Sequence, residues 1–546
     1  MAEARTSWDR RQILRAAGLA ALGAVLPHKA LARPRWREDR PRQVAVIGAG
    51  IGGLATGALL AHAGHVVHVL ERNAEGVGGH GRIREVGGLR FGMGPQYVWA
   101  FEPGDWGARF LDRLGLAADN PFTPMDPQGF EAIVLGGDGP ARRVDVPMGL
   151  GAFEDRLCEL YPADRAGLGA LFDELQLLDH ALRVAVDGGM VRGSRARSHA
   201  ALLTSPRLGV AEKRLLYHLL HRSAADWFDL HGLSAPVRRV LYGAGGDLAE
   251  RSTDASALAY ALMTTHYHRG ARYPALGFGP LLDGLCRIIR EAGGSVTLGA
   301  EVRGLVRQGR AVVEVVCADG RRVPCDHVVS DIAPRLTAAL LDGVDPGRYR
   351  YRPSPSIQTV CLGYGAAADL DARVLGRNIW WSNAAREPEF LRPDPTAPPD
   401  LIYIASPAMN GASPDAGDLQ GLTCFCPSHV PAEQALREAG TEAAHHARLA
   451  EQVVEIIERD ALPGSAAHLR FAKVSTSQDL IAEIGAEQGA IYGRRADVQS
   501  IADGPLRPLE PVDNLTHVSA AAHMAGIAAG ILRAMDVAQE LTGLEI

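Results

Sequence analysis

The chain has 546 residues, which is too long for one simple core and indicates two to four domains or lobes. Hydrophobic residues make up 47% and charged residues 22%, as is ordinary for globular proteins. The formal net charge of −6 argues against a nucleic-acid partner, which would call for a basic surface.

The first predicted element is an export signal in residues 1–32. Arg10 and Arg11 precede a mild apolar run over residues 16–26, and residues 30–32 have the small-x-small pattern of a cleavage site. Paired arginines before a weakly hydrophobic segment are typical of the twin-arginine signal. A membrane anchor or a chance basic amphipathic helix is the alternative, but spanning a bilayer takes about 20 apolar residues. We therefore predict an exported protein, periplasmic or extracellular.

A strand, a glycine loop, a helix and a second strand follow in order. Residues 43–47 form a β-branched run that suits a buried parallel strand. Gly48, Gly50 and Gly53 then give the spacing GxGxxG, and the apolar residues after them recur at helical spacing. Residues 66–70 form the second strand.

Each part of this unit has a physical role in dinucleotide binding. Gly48 allows the tight turn, Gly50 lets the backbone approach a pyrophosphate, and Gly53 lets the helix pack on the sheet. The N–H groups at the start of the helix attract phosphate. Glu71 ends the second strand, where a carboxylate can bind ribose hydroxyls. The order of parts predicts a dinucleotide site rather than a coincidental glycine turn.

Two further glycine-rich segments indicate which dinucleotide is bound. Residues 78–82 read Gly-Gly-His-Gly-Arg, and residues 91–95 read Phe-Gly-Met-Gly-Pro. This layout resembles the flavoproteins of the phytoene desaturase, carotenoid isomerase and retinol saturase group, which are relatives of the flavin amine oxidases. The resemblance implies that Gly79 and Arg82 lie beside the pyrophosphate and flavin of FAD. Because no Cys or His lies in a recognisable flavin-linking motif, we expect the FAD to be non-covalent.

The resemblance extends along most of the chain after residue 43. It implies that the Val302 backbone contacts the adenine and that the helix start at Ile527 faces the flavin. Residues 489–493, Gly-Ala-Ile-Tyr-Gly, point toward the carotenoid isomerase branch. The sequence departs from the family pattern at several places, among them Gly92, which replaces an acid, and the segment around His523. The substrates of the best-known desaturases therefore cannot be assigned to this chain by resemblance.

These segments predict an α/β fold with a discontinuous, Rossmann-like FAD-binding domain of the glutathione-reductase type. An α+β substrate domain with a helical cap completes the expected architecture. We assign residues 43–130, 270–333 and 489–546 to the FAD-binding domain. Residues 131–267 and 334–488 form the predicted substrate-binding lobe, with helical periodicity over 154–221.

Aromatic residues near the predicted flavin segments are the candidates for substrate contact. Tyr97 and Trp99 follow the Gly-Pro turn, and Trp380, Trp381 and Tyr492 lie in segments that face the cavity in the related group. A structural role in the core explains each of them equally well.

The sequence predicts neither a metal site nor an assignable catalytic residue. His266 and His268 alternate on what we interpret as a strand, and a pair without a third ligand is usually incidental. No Ser/His/Asp arrangement can be argued from spacing alone.

Three functions stay open. The first is a desaturase, saturase or isomerase that acts on a hydrophobic, lipid-like alkene, for which contact with a membrane surface is an open expectation. The second is an exported flavin amine or alcohol oxidase or dehydrogenase that passes electrons to oxygen or a redox partner. The third is a flavin-binding protein without catalysis. A cavity lined by Leu and Phe favours the first, whereas an aromatic cage with a carboxylate favours the second.

Overall fold

The structure is a computed structural model that describes residues 36, 40–137, 139–187, 203, 205–391, 394–411, 417–506 and 512–543. The predicted export signal, residues 1–32, lies outside these residues.

The strands in chain order are β1 Gln43–Ile47, β2 Val66–Leu70, β3 Ile83–Val86, β4 Leu89–Gly92, β5 Phe122–Pro124, β6 Glu131–Gly136, β7 Arg142–Val146, β8 Arg272–Pro274, β9 Ser295–Thr297, β10 Val302–Gln308, β11 Ala311–Cys317, β12 Arg322–Pro324, β13 His327–Ser330, β14 Ser356–Gly365, β15 Asn378–Asn383, β16 Leu401–Ala405, β17 Leu419–Ser428, β18 Leu469–Ser475 and β19 Leu515–His517.

The α-helices are α1 Ile51–His62, α2 Trp106–Leu114, α3 Leu150–Leu160, α4 Arg165–Asp187, α5 Val210–Leu220, α6 Ala224–Leu230, α7 Ala235–Leu241, α8 Ala257–Arg269, α9 Gly279–Glu291, α10 Pro334–Ala339, α11 Leu370–Val374, α12 Val430–Glu438, α13 Glu442–Ile456, α14 Ser477–Ile484, α15 Val498–Asp503 and α16 Ile527–Thr542. Among the described residues, no helix combines the length and apolar character needed to cross a bilayer.

A five-stranded parallel sheet in the order β19-β13-β1-β2-β9 forms the first domain. Helix α1 is buried on almost every side because it packs between the sheet and the helices α9 and α16. Gly64, with φ of +90°, follows the end of α1 and allows the chain to turn back into β2. The α/β fold with a Rossmann-like dinucleotide domain is thereby confirmed.

A seven-stranded mixed sheet in the order β18-β14-β17-β16-β15-β6-β7 forms the second lobe. All of its strands come from residues 131–146 and 356–475, within the predicted substrate-binding lobe. One face packs against the helical layer that runs from α3 to α8, and the opposite face packs against α13. The residue boundaries that divide the chain into domains stay a prediction.

The interpretation of His266 and His268 as strand residues is wrong. Both lie in α8, whose first turn is capped by the Ser256 side chain. Thr and Tyr are common in strands, and the local preference of Thr264, Thr265 and Tyr267 favours the strand that the sequence analysis assumed. Helix α8 forms because its apolar face packs against α4 and α5, and such packing overrides weak local preference.

Candidate active site

The glycine loop between β1 and α1 leaves no room for side chains. Gly48 has φ of +91°, in the left-handed region that favours glycine. A β-carbon at Gly53 would lie 2.5 Å from the Gly48 carbonyl oxygen, and one at Gly50 would overlap the Asp331 carboxylate. Backbone geometry therefore favours glycine at residues 48 and 53, and the Asp331 carboxylate leaves no room for a side chain at residue 50. The sequence predicted such a close approach for a phosphate-binding turn.

Glu71 is fixed at the end of β2 beside this loop. Its Oε2 accepts the Ala49 N–H at 2.7 Å, and its Oε1 accepts the Asn73 N–H at 2.7 Å. The Ala300 N–H donates to the Glu71 carbonyl oxygen at 2.8 Å, which brings the start of β10, at Val302, to the same edge of the sheet. The structure thus brings the predicted ribose ligand and the predicted adenine contact together.

A second loop, which contains Gly79, lies directly against the first. The Gly78 N–H donates to the Ala49 carbonyl oxygen at 2.8 Å, and a β-carbon at Gly79 would lie 3.4 Å from the Gly50 α-carbon. Arg82 is anchored by its Nε, 3.0 Å from a Glu483 carboxylate oxygen. Burial and then the neighbouring Arg84 lower the pKa of Arg82 to about 10, so it stays charged at neutral pH.

The last helix completes the assembly. Ile527 is the first residue of α16 and is buried, and a β-carbon at Gly81 would lie 3.6 Å from its Cδ1. The residues predicted to bind the cofactor therefore gather where two glycine loops, the end of β2 and the start of α16 meet. Their individual contacts with FAD stay a prediction.

Asp331 is part of this assembly and was missed in the sequence. It follows β13, and its carboxylate accepts hydrogen bonds from the Gly50 and Gly53 N–H groups. Burial, and to a smaller extent the charge of Glu71, raises the pKa of Asp331 to about 8. A signal was available in the sequence, because Asp331 directly follows the short run with two valines at residues 327–330, much as Glu71 follows residues 66–70.

A row of aromatic side chains crosses the second sheet on the face that packs against the helical layer. Trp380, Tyr403 and Phe425 pair across β15, β16 and β17. Their neighbouring ring centroids lie 4.5 Å and 5.6 Å apart. Tyr267, from α8, and Tyr97 approach this row, and their own rings stack at 4.3 Å.

Two acids lie among these rings, Glu131, which is buried, and Asp247, which is half-buried. The Tyr97 hydroxyl is 2.7 Å from Glu131 Oε1 and 2.7 Å from Asp247 Oδ2. The Trp380 Nε1–H donates to Glu131 Oε1 at 3.2 Å. Burial and then Asp247 raise the pKa of Glu131 to about 8, and burial raises the pKa of Asp247 to about 7. The two acids are therefore not both fully ionised at neutral pH.

Two short segments connect this cluster to the glycine loops. His80 follows Gly79, and its Nε2 lies 3.1 Å from the carbonyl oxygen of Ala490. Tyr492 follows two residues later and donates its hydroxyl proton to the Gly246 carbonyl oxygen at 3.3 Å. Because residue 246 precedes Asp247, this hydrogen bond ties the segment around Tyr492 to the cluster.

The aromatic candidates divide into two groups. Tyr97, Trp380 and Tyr492 belong to the cluster or adjoin it, whereas Trp99 packs against Trp106 and the core of the first domain. The expectation that Trp381 faces the cavity is wrong, because successive side chains of a strand point to opposite faces. Its Nε1–H donates to Asp460 at 2.8 Å on the far side of the sheet.

Comparison with known proteins gives a family match. Residues 51–413 match the family described as flavin containing amine oxidoreductase. The rat all-trans-retinol 13,14-reductase is 27% identical over 296 residues, which cover 50% of this chain and 45% of that protein. The chain thus spans about half the length of the retinol reductases that it matches.

Two other relatives match larger shares of their own length. A 4,4'-diapolycopene oxygenase of a Methylomonas species is 25% identical over 492 residues, covering 84% of this chain and 88% of that protein. A hydroxyneurosporene desaturase of Cereibacter sphaeroides is 30% identical and covers 63% of each chain. Among solved structures, a putrescine oxidase bound to putrescine has a TM-score of 0.59 at 18% identity, covering 91% of this chain and 98% of that one. At that identity the likeness shows the fold alone.

Proposed function

The chain belongs to the family of flavin containing amine oxidoreductases and uses FAD, and from this premise we propose that it acts on a hydrophobic unsaturated substrate. The reaction is of the desaturase, saturase or isomerase type. One observation carries the proposal. The likeness to the diapolycopene oxygenase runs over 492 residues and therefore extends over the predicted substrate-binding lobe. The FAD segments do not discriminate, because amine oxidases have them too.

The residues present fit FAD. The first turn of α1 offers N–H groups to a pyrophosphate, and the loops around Gly50 and Gly79 leave the space that close backbone approach requires. Glu71 lies where a ribose would be held. When bound, FAD supplies hydride exchange with carbon.

The substrate lobe supplies an apolar wall. Trp380, Tyr403 and Phe425 line one face of the second sheet, and Tyr267 stacks on Tyr97 beside them. Aromatic rings of this size exclude water and give a conjugated chain an apolar surface to pack against. In this account the lobe binds and orients the substrate, while the first domain holds the cofactor.

A second candidate function is favoured by the two acids within the aromatic cluster. Carboxylates among aromatic rings can bind a protonated amine, so an amine or alcohol oxidase or dehydrogenase is the alternative. Such an enzyme would pass its electrons to oxygen or to a redox partner.

We further propose that residues 1–32 direct export by the twin-arginine route and that the mature protein is periplasmic or extracellular. Support comes from the paired arginines Arg10 and Arg11 and from the small-residue cleavage pattern at residues 30–32.

The substrate class is tested by anaerobic mixing of the purified flavoprotein with a panel of polyenes, alcohols and amines. The oxidised enzyme should be bleached by a polyene, or the dithionite-reduced enzyme should be reoxidised by one. Isomerisation of the polyene without net bleaching is also a supporting result. Fast bleaching by a primary or secondary amine, with no response to any polyene in either redox state, would support the second candidate instead.

A further inference from the structure

Tyr97, Glu131 and Asp247, which we call the acid–tyrosine triad, must share an additional proton. The Tyr97 oxygen lies 2.7 Å from an oxygen of each acid, yet a phenol has one proton and can donate it to only one of them. The other acid must be protonated and must donate to the Tyr97 oxygen. The triad therefore both donates and accepts hydrogen bonds within a buried site.

The side chain of Tyr403 lies beside the triad. Tyr403 is only 5% exposed, and its hydroxyl has no hydrogen-bond partner among the described residues. The Tyr403 ring stacks with the Tyr97 ring at a centroid distance of 6.5 Å, so Tyr403 belongs to the same cluster as the triad. Burial and then the charges of Asp247 and Glu131 raise the pKa of Tyr403 well above its usual value. Buried polar groups are nearly always hydrogen-bonded, to protein or to ordered water, so the Tyr403 hydroxyl is a group that a bound ligand can satisfy.

The rings of the cluster do not offer their faces to a cation. Tyr97 stacks on Tyr267 at 4.3 Å, and Tyr403 stacks on Phe425 at 5.6 Å. A cation–π contact needs an open ring face. The cluster instead presents the Tyr403 hydroxyl and the carboxyl group of Asp247, which is half-buried whereas Glu131 is buried.

We propose that Tyr403 and the acid–tyrosine triad bind a hydroxyl group of the substrate. The substrate hydroxyl donates to Asp247 and accepts the proton of Tyr403, which satisfies the unpartnered group. The inference rests on the proposed function in taking the substrate to be unsaturated and hydrophobic, and it adds that the substrate is an alcohol.

The charge of the site agrees with a neutral ligand. The pKa of Glu131 is about 8 and that of Asp247 about 7, so the pair carries at most about one negative charge near pH 7. A protonated amine would be held best by acids that are both ionised. A substrate hydroxyl can donate one hydrogen bond and accept another, whatever the charge of the two acids.

The test compares binding of the alcohol farnesol, the hydrocarbon farnesene and the amine farnesylamine to the FAD-loaded protein. Binding is measured by perturbation of the flavin absorbance spectrum, which does not require turnover. Farnesol should bind about threefold to tenfold more tightly than farnesene, as expected for one or two buried neutral hydrogen bonds. Tyr403→Phe should remove this preference and leave farnesene binding unchanged.

A matched control and a second variant show whether any effect is specific to the proposed site. Tyr364→Phe removes the hydroxyl of a buried tyrosine on the opposite face of the same sheet and should leave the preference intact. Asp247→Asn should also weaken farnesol binding, and its effect should be smaller in the Tyr403→Phe background because both side chains bind the same hydroxyl. Each variant is first checked for flavin content and melting temperature.

The outcomes separate this inference from the proposed function. Three results would overturn the inference. They are equal binding of farnesol and farnesene, tightest binding of farnesylamine, and no binding of either farnesol or benzyl alcohol. Benzyl alcohol and toluene form a second, small pair. If benzyl alcohol shows a preference that Tyr403→Phe removes while no farnesyl compound binds, the hydroxyl site stands and the hydrophobic polyene substrate is wrong.

Discussion

Replacing Asp331 by asparagine tests whether a neutral acid lies against the glycine loop at physiological pH. The Asp331 carboxylate accepts the Gly50 and Gly53 N–H groups, and its pKa is raised to about 8 chiefly by burial. Asparagine has nearly the same shape and stays neutral at every pH. The variant therefore removes the titration and keeps most of the packing.

The direction of the effect follows from the folded-state pKa, which lies above the ordinary value of 3.8. Below about pH 4 Asp331 is protonated in both the folded and the unfolded protein, so its contribution to the free energy of unfolding is fully present there. This contribution is lost as the pH rises through about 8. Between pH 6 and pH 8 the free energy of unfolding of the wild-type protein therefore falls by ~2 kcal/mol, at about 1.4 kcal/mol per pKa unit. For a unit of a few hundred residues this corresponds to about 2–5 °C in Tm.

The assay is thermal unfolding of flavin-free protein at pH 6, 7 and 8. The Tm of Asp331→Asn minus that of the wild type should rise by about 2–5 °C from pH 6 to pH 8. Asp319→Asn, which alters an exposed carboxylate, should show a difference that does not change over this range. A pH-independent difference for Asp331→Asn, or one that falls as the pH rises, would refute the reasoning.

Three further predictions concern the cofactor and export. Gly50→Val should abolish FAD binding because its side chain overlaps the Asp331 carboxylate and fills the phosphate cradle; a variant purified with normal flavin content would contradict this. Glu71→Ala should raise the Kd for FAD roughly 10- to 100-fold, since charged hydrogen bonds contribute about 1.5–3 kcal/mol each, and an unchanged Kd in a fluorescence titration would refute its role as a ribose ligand. Replacing Arg10 and Arg11 with lysines should leave the precursor in the cytoplasm of a fractionated cell, whereas normal export would point to another type of signal.

The parts of the fold that the sequence predicted are local. The glycine spacing, the strand before it and the acid after β2 lie within about thirty residues, and each follows from backbone geometry. Val302 and Ile527 are far apart in the chain and were located through family resemblance. Chain geometry alone would not have placed them.

The acid–tyrosine triad could not be predicted because its members come from distant segments. Glu131 opens β6, Asp247 follows α7, and Tyr97 precedes α2, so only tertiary packing brings them together. One signal was present in Glu131, an acid at the head of an otherwise apolar run. Buried acids of this kind are costly unless partnered, and they mark candidate functional sites.

The flavin content of the purified protein tests the central claim most directly. We predict yellow protein that releases about one FAD per chain on acid precipitation, with the released cofactor identified by chromatography. The flavin should leave the protein completely, because no covalent link is expected. Colourless protein that FAD cannot reconstitute would contradict the account.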